Sequence, residues 1–341
     1  MNKIQEQDIR EFAEQFALSD QLAHSVFLIT GATGLIGSTL VHCLLALDRD
    51  IKVIAPVRNG EKAELMFSKT ELDDIKIIEC DIIKFDYNQL PHVDYIVHCA
   101  APTASKYFVE HPVETFNIIV DGTKVLLEYA KDNPIKGFVY LSSLEVYGEI
   151  HDDSQPVTEE VQGYLNPLNI RSSYPMAKRA AETLCCLYAA QYGIPVKIAR
   201  LTQTTGAGIS TDDNRVIVQF VRLASKGENI VLNTKGESAR PYCYTIDAVS
   251  AIISILLNGI TGEAYNIANA ESYINVLDLA KKIKKNVDPN IGVFIKESGH
   301  KEYAPITKLR LSTQKIESLG WRPKYSINDI INNLLNYLLS L

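Results

Sequence analysis

Tyr174 and Lys178 stand four residues apart in the segment Arg171–Glu182, which reads RSSYPMAKRAAE. On a helix this spacing puts both side chains on one face, and Pro175 is tolerated in a first helical turn. A free tyrosine has a pKa of about 10, and a nearby ammonium favours the phenolate, so Lys178 is expected to lower the pKa of Tyr174. Tyr174 could then exchange a proton with an alcohol while a nicotinamide exchanges the hydride. The alternative is an ordinary surface Tyr–Lys pair.

A serine and a glutamate at the end of an apolar run belong to the same group. Ser143 and Glu145 lie in VYLSSLEVYG, residues 139–148. A strand that ends there would present the Ser143 hydroxyl at the carboxyl edge of a sheet, where it can hydrogen-bond the reacting oxygen, although serines also simply end strands. Glu145 is an extra acid or base, a ligand for a substrate hydroxyl, or a support for its neighbours, and the sequence leaves these three roles open.

A glycine-rich segment, GATGLIG at residues 31–37, lies between the apolar runs 26–30 and 38–45. The order strand, glycine turn, helix aims backbone N–H groups and the positive helix end at a phosphate. The first glycine permits the tight turn, the second lets a pyrophosphate approach, and the third lets helix and strand pack closely. An ordinary tight turn is the alternative. The predicted cofactor contacts of this segment are Gly31, Thr33, Gly34, Leu35, Ile36 and Gly37.

Strand and helix patterns alternate along residues 26–201. Such alternation predicts an α/β fold, a Rossmann-type doubly wound parallel sheet. The alternation breaks after about residue 201, which predicts a smaller interleaved C-terminal substrate domain. The expected domains are an N-terminal helical extension (1–23), a dinucleotide-binding domain (24–201 plus about 241–260), and a substrate-binding domain (202–240 and 261–341). The predicted strands are 26–30, 52–57, 75–79, 94–98, 136–142 and 195–201, and the predicted helices are 37–47, 61–67, 112–131, 174–192, 216–226 and 247–257, with a loop at 204–215.

Composition narrows the range of partners. The 341 residues carry a net charge of −7 with no dense Lys/Arg stretch, so a nucleic-acid partner is not expected. The longest apolar stretches, such as 248–257, are too short to span a bilayer, and no membrane association is expected. The six cysteines form no C-x-x-C pair and no zinc-ligand pattern. We therefore expect a metal-free, reduced, cytoplasmic protein.

Taken together, these motifs resemble the extended short-chain dehydrogenase/reductase family, also called NAD-dependent epimerases/dehydratases, over nearly all of the chain after residue 24. By this resemblance Ser143, Tyr174 and Lys178 form the catalytic triad, and the usual substrate is a sugar on a nucleoside diphosphate. The family also implies a homodimer built from the helices near 112–131 and 174–192. Its members often work in surface-polysaccharide precursor synthesis.

Further stretches carry the same resemblance. Asp81 and Ile82 match the segment that holds the adenine, and Ala100 and Ala101 belong to the cofactor motif HCAA. Ile119 replaces the asparagine of the family's N-x-x-G-T helix, so that polar contact is in doubt. In addition, RPYCYTID (240–247) is similar to a segment near the nucleotide-sugar diphosphate. The substrate ligands implied are Gln203, where relatives carry asparagine, and the arginines Arg215 and Arg240, for which surface salt bridges are the alternative.

The end of the second predicted strand bears on the choice of cofactor. An acid there normally binds the ribose 2′-hydroxyl, but this chain has Val57 followed by Arg58 and Asn59. A missing carboxylate removes repulsion, and an arginine attracts a 2′-phosphate, so the sequence favours NADP(H) over NAD(H). A solvent-facing Arg58, with the adenosine held by Asp81 alone, is the alternative.

The residues after Ser143 bear on the reaction. Sugar 4,6-dehydratases of this family carry Asp-Glu there, whereas this chain has Leu144-Glu145, so dehydration is not expected. UDP-glucuronate decarboxylases carry Ser-Glu, and their segment around the tyrosine is similar to Arg171–Glu182. Because Arg58 favours NADPH, we expect a net reductase acting on a keto group of a nucleotide-linked sugar or sugar-alcohol precursor. A redox-neutral epimerase or decarboxylase-like enzyme holding NAD is the alternative, followed by a non-catalytic dinucleotide-binding regulator.

Overall fold

A computed structural model describes residues 1–296 and 306–341. The elements predicted between residues 26 and 257 are confirmed to within two residues at each end, although the predicted loop at 204–215 begins in a short strand. The strands are β1 (Val26–Thr30), β2 (Lys52–Val57), β3 (Ile75–Glu79), β4 (Tyr95–His98), β5 (Gly137–Ser143), β6 (Val196–Leu201), β7 (Gln203–Thr205), β8 (Ile230–Leu232), β9 (Ala239–Tyr244), β10 (Ala264–Ile267), β11 (Asn269–Asn275) and β12 (Val293–Ile295). The α-helices are α1 (Lys3–Gln15), α2 (Leu35–Ala46), α3 (Gly60–Met66), α4 (Lys69–Leu72), α5 (Ser105–Glu110), α6 (Pro112–Asp132), α7 (Ser173–Tyr192), α8 (Val216–Ser225), α9 (Thr245–Asn258), α10 (Val276–Val287), α11 (Gln314–Glu317) and α12 (Ile327–Leu339).

Seven strands form the central sheet in the order β10-β6-β5-β4-β1-β2-β3. Every neighbouring pair in this sheet is parallel. The strand order changes direction between β1 and β4, and in open α/β sheets the ligand crevice lies at such a point, outside the carboxyl ends of the strands. The predicted Rossmann-type fold is confirmed, and it brings the ends of β1, β4 and β5 to one edge.

Both faces of this sheet are covered. Along β1, Phe27 and Ile29 belong to one apolar cluster, which includes residues of α2 and α9. The intervening Leu28 belongs to a second cluster, shared with residues of α6 and α7. All three side chains are fully buried. Successive residues of a strand point to opposite faces, so a strand buried on both faces reads as a continuous apolar run. These continuous apolar runs made the strands predictable from the sequence.

The chain after residue 201 builds a second, smaller group of elements. Strands β7 and β9 pair in parallel, and β9 also pairs with β11 in the antiparallel sense. Strands β8 and β12 form a two-stranded sheet, and α8, α10 and α12 pack on one another. The chain returns to the central sheet in β10, which pairs with β6. The domain boundaries given above remain a prediction. No helix in residues 1–296 or 306–341 is long and apolar enough to cross a membrane.

The predicted N-terminal helix is present as α1. Asn2 caps it in a reciprocal capping box with Gln5, which satisfies two backbone donors at the helix start. Its buried residues Ile9 and Phe12 belong to the large core cluster, and α1 packs against α2 and α9. The buried Asp8 carboxylate accepts a hydrogen bond of 2.6 Å from the hydroxyl of Tyr244. Helix α1 is therefore part of the main body of the protein.

Candidate active site

The glycine turn between β1 and α2 leaves a cradle that side chains would fill. Gly31 has a φ of +69°, and a Cβ added to it would lie 2.8 Å from the backbone nitrogen of Ala100. A Cβ on Gly37 would lie 2.2 Å from the carbonyl oxygen of Gly31. Helix α2 begins after Gly34 with no side-chain cap, so its first N–H groups remain available to an anion. The turn fits a dinucleotide pyrophosphate.

Hydrogen bonds through Thr30 join the ends of β1 and β4 beside this cradle. The Thr30 hydroxyl lies 2.6 Å from Nδ1 of His98 and accepts the N–H of Ala100 at 3.2 Å. Burial lowers the pKa of His98 to about 3, so its ring is neutral. These contacts fix Ala100 next to the glycine turn, and Ala101 follows it, both partly exposed. Ala100 thus lies beside the glycine turn, and the cofactor contacts of Ala100 and Ala101 stay a prediction.

The residues predicted to bind the adenosine half lie at the ends of β2 and β3. Arg58 is exposed and forms no ion pair with any residue in the described parts of the chain. Asn59 caps α3 by accepting the N–H of Lys62 at 2.7 Å, so its side-chain oxygen is already engaged. Asp81 lies just beyond β3, where its carboxylate accepts the N–H of Ile83 at 3.0 Å. Ile82, between them, is partly buried.

The candidate catalytic residues meet where α7 packs on β5. Lys178 is buried and donates a hydrogen bond of 2.6 Å from Nζ to the carbonyl oxygen of Leu141, two residues before Ser143. Its ammonium lies 5.8 Å from the ring centroid of Tyr174. Burial lowers the pKa of Lys178 to about 8, although the charge of Glu182 opposes this shift. The structure therefore brings Ser143, Tyr174 and Lys178 into one cluster.

The pKa of Tyr174 departs from the sequence-based expectation. Burial raises this pKa above its ordinary value, and the negative charge of Glu145 raises it further, while the hydroxyl of Ser143 and the charge of Arg171 act in the opposite sense. The expected lowering by Lys178 is wrong for this geometry, because its ammonium bonds the Leu141 carbonyl rather than the phenol. Tyr174 is thus a protonated phenol at neutral pH.

A second group of side chains surrounds Tyr174. The ring of Phe108, from α5, stacks on the Tyr174 ring with centroids 4.2 Å apart and planes 6° from parallel. The Arg171 guanidinium lies 5.2 Å from the Phe108 ring centroid and pairs with the Glu145 carboxylate at 3.1 Å. Glu145 and Arg171 remain about 30% exposed, at 28% and 30% respectively, so an ion pair at the rim of the site faces solvent next to the phenol.

The predicted substrate ligands cluster around β7, in the smaller group of elements. Gln203 begins β7 and pairs with β9, the strand that carries Arg240. The guanidinium of Arg215 hydrogen-bonds the carbonyl of Thr204 and pairs with Asp213 at 2.7 Å. Nε of Arg240 is buried and has no hydrogen-bond partner among the described residues, and a buried donor without a partner is costly. Arg240 therefore fits an anionic ligand better than Arg215, which already has a carboxylate partner.

Sequence reasoning missed two contributors to this site. Nothing in the sequence marked Phe108, which lies in the segment after β4, far from Tyr174 along the chain. Arg171 was visible as the residue three before Tyr174, a spacing that brings side chains together at a helix start, but no role was assigned to it. Within the described residues, no three His, Cys, Asp or Glu side chains are grouped to bind a metal ion.

The fold and this site define a class of protein. A glycine turn at the switch point of a parallel sheet, with a Tyr-x-x-x-Lys pair beside it, is the arrangement of a dinucleotide-dependent enzyme of the short-chain dehydrogenase/reductase type. The sequence profile of the NAD dependent epimerase/dehydratase family matches residues 27–268. The chain belongs to that family, as the sequence motifs predicted, and it is an enzyme.

Relatives and solved structures agree with this assignment. UDP-glucuronic acid decarboxylase 3 of Arabidopsis thaliana is 32% identical over 305 residues, which cover 89% of this chain and 85% of that protein. UDP-glucuronic acid decarboxylase 1 of Xenopus tropicalis is 28% identical, covering 91% and 71%. The crystal structure of UDP-glucose 4-epimerase from Thermotoga maritima superposes with a TM-score of 0.79 at 23% identity, covering 92% and 98%. UDP-glucuronic acid 4-epimerase from Bacillus cereus, in complex with UDP-glucuronic acid and NAD, gives 0.75 at 21%, covering 92% and 99%.

Proposed function

We propose that this protein is a redox-neutral enzyme that oxidises a UDP-linked hexuronic acid, releases its carboxyl group as CO₂ and reduces the resulting ketone with the same cofactor, retained as NAD. The relatives named as UDP-glucuronic acid decarboxylases cover about nine-tenths of the chain and support the substrate class. The fold neighbour that holds UDP-glucuronic acid and NAD supports the same cofactor. This proposal replaces the net reductase that the sequence favoured.

The observation that carries the proposal is the Glu145–Arg171 ion pair beside Tyr174. A hexuronic acid brings a carboxylate to the site, and a guanidinium holds a carboxylate with two parallel hydrogen bonds. Binding of the substrate carboxylate by Arg171 releases Glu145 from its present partner, so that a free carboxyl group stands next to the reacting sugar. Leu144, the residue before it, is buried in an apolar cluster, so Glu145 is the acid or base that this turn can offer.

The cofactor would lie across the carboxyl ends of β1 and β4. The glycine turn and the first N–H groups of α2 would hold its pyrophosphate, while Asp81, Ile82 and Ala100 would line the adenosine half. A bound nicotinamide supplies the acceptor for a hydride from the sugar carbon and returns it later in the cycle. Lys178 would hydrogen-bond the adjoining ribose, in addition to the Leu141 carbonyl.

The proton steps fall to side chains of the chain itself. Tyr174 takes the proton of the 4-hydroxyl as that carbon is oxidised, and the ketone then stands β to the carboxylate. When the carbon–carbon bond to the carboxylate breaks, CO₂ leaves and its electron pair forms an enolate through the 4-oxygen. Ser143 would hydrogen-bond this oxygen. Glu145, freed from Arg171, would take up a proton from solvent and deliver it to carbon 5, which balances the loss of CO₂ from the carboxylate. When carbon 4 is reduced again, Tyr174 would return its proton to the 4-oxygen.

The raised pKa of Tyr174 suits the second half of this cycle. A protonated phenol donates readily to an alkoxide that forms during reduction. Removal of the alcohol proton in the first half requires a phenolate, which nearby positive charge stabilises. Arg171 already lowers the pKa of Tyr174. It is the cation placed to support the phenolate, because the Lys178 ammonium bonds the Leu141 carbonyl.

The substrate diphosphate would be held from the smaller group of elements. Arg240 brings a buried guanidinium nitrogen without a partner, and Gln203 lies on the neighbouring strand. Arg215 contributes less in this proposal, because Asp213 already occupies its guanidinium.

Incubation of the purified protein with UDP-glucuronic acid tests the proposal. We expect CO₂ and a UDP-pentose, formed over many turnovers without net consumption of added NAD⁺ or NADH. Arg171→Gln should lose most of this activity, whereas Arg49→Gln, which breaks a surface ion pair with Asp20, serves as the matched control. A 4-epimeric UDP-hexuronic acid as the main product, or no reaction with any UDP-hexuronic acid, would contradict the decarboxylase proposal.

A second candidate is the net reductase predicted from the sequence. The exposed Arg58 supports it, because this guanidinium could bind a 2′-phosphate. Stoichiometric consumption of NADPH with a nucleotide-linked ketone, lost in Arg58→Gln, would establish it over the redox-neutral reaction.

We also propose a homodimer through α6 and α7. Both helices leave apolar side chains at the surface: Val113 and Phe116 are exposed on α6, as is Leu187 on α7. These two helices pack side by side, and in the proposed dimer a second copy would cover their exposed apolar residues. Sedimentation equilibrium of the wild type and of Phe116→Glu tests this, and a wild-type monomer would contradict it.

The six unpaired cysteines support the expected reduced, cytoplasmic setting.

A further inference from the structure

The end of β2 lacks the carboxylate that binds ribose in many dinucleotide enzymes. Val57 stands at that position and is buried, and the exposed turn Arg58–Asn59 follows it. In the parallel pairing of β2 with β3, the residue opposite Val57 is Glu79. Residues opposite each other in a parallel pair project to the same side of the sheet. Glu79 therefore offers a carboxylate one strand away from the expected place.

The side chain of Glu79 reaches across to the turn after β2. Its Oε2 accepts the N–H of Gly60 at 2.8 Å, and a Cβ on Gly60 would lie 2.8 Å from the same oxygen. Glycine at this position thus leaves room for the carboxylate. Oε1 has no hydrogen-bond partner within residues 1–296 and 306–341, and the side chain is exposed. One carboxylate oxygen is anchored and the other remains available.

We propose that Glu79 supplies, from β3, the carboxylate that β2 lacks, accepts hydrogen bonds from the ribose hydroxyls of the adenosine half, and selects NAD over NADP. A carboxylate is acceptor-only and suits a 2′-hydroxyl, whereas it repels a 2′-phosphate. Arg58, also exposed, opposes that repulsion. Asp81 adds little to it, because its carboxylate pairs with Lys84 at 4.0 Å. The inference deepens the proposed function, which needs a retained NAD.

Equilibrium binding without turnover tests this inference. The ratio of the Kd for NADP⁺ to the Kd for NAD⁺ is measured by calorimetry on protein freed of co-purifying nucleotide. We expect a ratio of about ten or more for the wild type, and a roughly tenfold lower ratio for Glu79→Gln, which keeps an oxygen acceptor for Gly60 but removes the charge; tenfold corresponds to about 1.4 kcal/mol. Glu64→Gln, on the exposed side of α3, removes the same charge nearby and should leave the ratio unchanged.

Two results would overturn the inference: tighter binding of NADP⁺ by the wild type, or an unchanged ratio in Glu79→Gln. If Glu79→Gln does not fold, the wild-type ratio alone decides: a value of about ten or more supports the assignment, and a lower value contradicts it. The proposed function fails separately, through net consumption of NADPH during turnover. A redox-neutral reaction combined with an unchanged ratio would overturn only the role of Glu79.

Discussion

The buried ion pair between Arg200 on β6 and Glu182 on α7 offers a quantitative test of how the catalytic helix is held. Arg200 donates to Glu182 from Nε and from a terminal nitrogen, at 3.0 and 2.7 Å. It also donates to the hydroxyl of Tyr147 at 3.1 Å and to the carbonyl of Glu159 at 2.7 Å. Both partners of the ion pair are less than 10% exposed. The pair thus joins α7 to the turn that carries Glu145.

Arg200→Met should destabilise the fold strongly, because it leaves the Glu182 carboxylate buried without its partner. Breaking such a pair on one side costs about 3–5 kcal/mol. Lys178 and Arg179 also lie close enough for the charge of Glu182 to affect them, so part of that charge stays compensated and we expect about 3 kcal/mol. Against a total stability of about 5–15 kcal/mol, such a loss is readily measured.

The assay is a double-mutant cycle in urea, followed by circular dichroism and analysed by linear extrapolation. Replacing both residues by methionine removes both charges together, and such replacements are often neutral or stabilising. We therefore expect Arg200→Met/Glu182→Met to be at least about 2 kcal/mol more stable than the sum of the single changes predicts. Simple additivity of the two single changes would refute the reasoning.

Three further changes have definite expected outcomes. Tyr174→Phe should lower kcat by about 10²–10⁴ while the Kd for NAD⁺ stays within about threefold; equal loss in Tyr192→Phe, a tyrosine at the far end of α7, would contradict this. Gly37→Ala should weaken dinucleotide binding and lower the free energy of unfolding by about 1–3 kcal/mol, because its Cβ would lie 2.2 Å from the Gly31 carbonyl oxygen. Gly34→Ala, whose Cβ would lie 3.3 Å from the same oxygen, should have smaller effects. Larger effects of Gly34→Ala than of Gly37→Ala, in calorimetry and in urea unfolding, would contradict this account of the glycine turn. Burial raises the pKa of Asp8 to about 6 from 3.8, so ionisation of Asp8 is disfavoured in the folded state and its contribution to stability falls as pH rises from about 4 through about 6. Asp8→Asn should accordingly raise the free energy of unfolding by about 3 kcal/mol at pH 8 and by about half as much at pH 5. A gain that is larger at pH 5 would contradict the sign.

The sequence predicted the central sheet well because its strands are buried on both faces. Runs such as Val26–Thr30 and residues 53–57 are almost continuously apolar, and their length and flanking residues are strand-like. The glycine turn between β1 and α2 was also predictable, since each of its glycines answers a local steric need. Features that depend on one element and its neighbours along the chain are the ones that sequence reasoning recovered.

Partnerships between distant side chains were not recovered. Asp247 closes the segment that resembles a diphosphate-binding motif, yet its carboxylate accepts the N–H groups of Lys324 and Tyr325 at 3.0–3.1 Å. It therefore anchors the C-terminal part of the chain. Phe108 likewise meets Tyr174 only because α5 folds back over α7. A local sequence pattern does not indicate which residues, far apart along the chain, come into contact in the fold.

The choice of cofactor shows the same difficulty at a functional position. In β2 alone, the missing acid at Val57 and the cation at Arg58 favour a 2′-phosphate. The pairing of β2 with β3 places Glu79 opposite Val57, and the Glu79 carboxylate accepts the N–H of Gly60. Strand pairing brings together residues that are 22 positions apart. The charges near the proposed ribose site therefore come from two neighbouring strands, β2 and β3. They have to be counted across both strands: Asp81 pairs with Lys84 at 4.0 Å, which leaves the Glu79 carboxylate to oppose the guanidinium of Arg58.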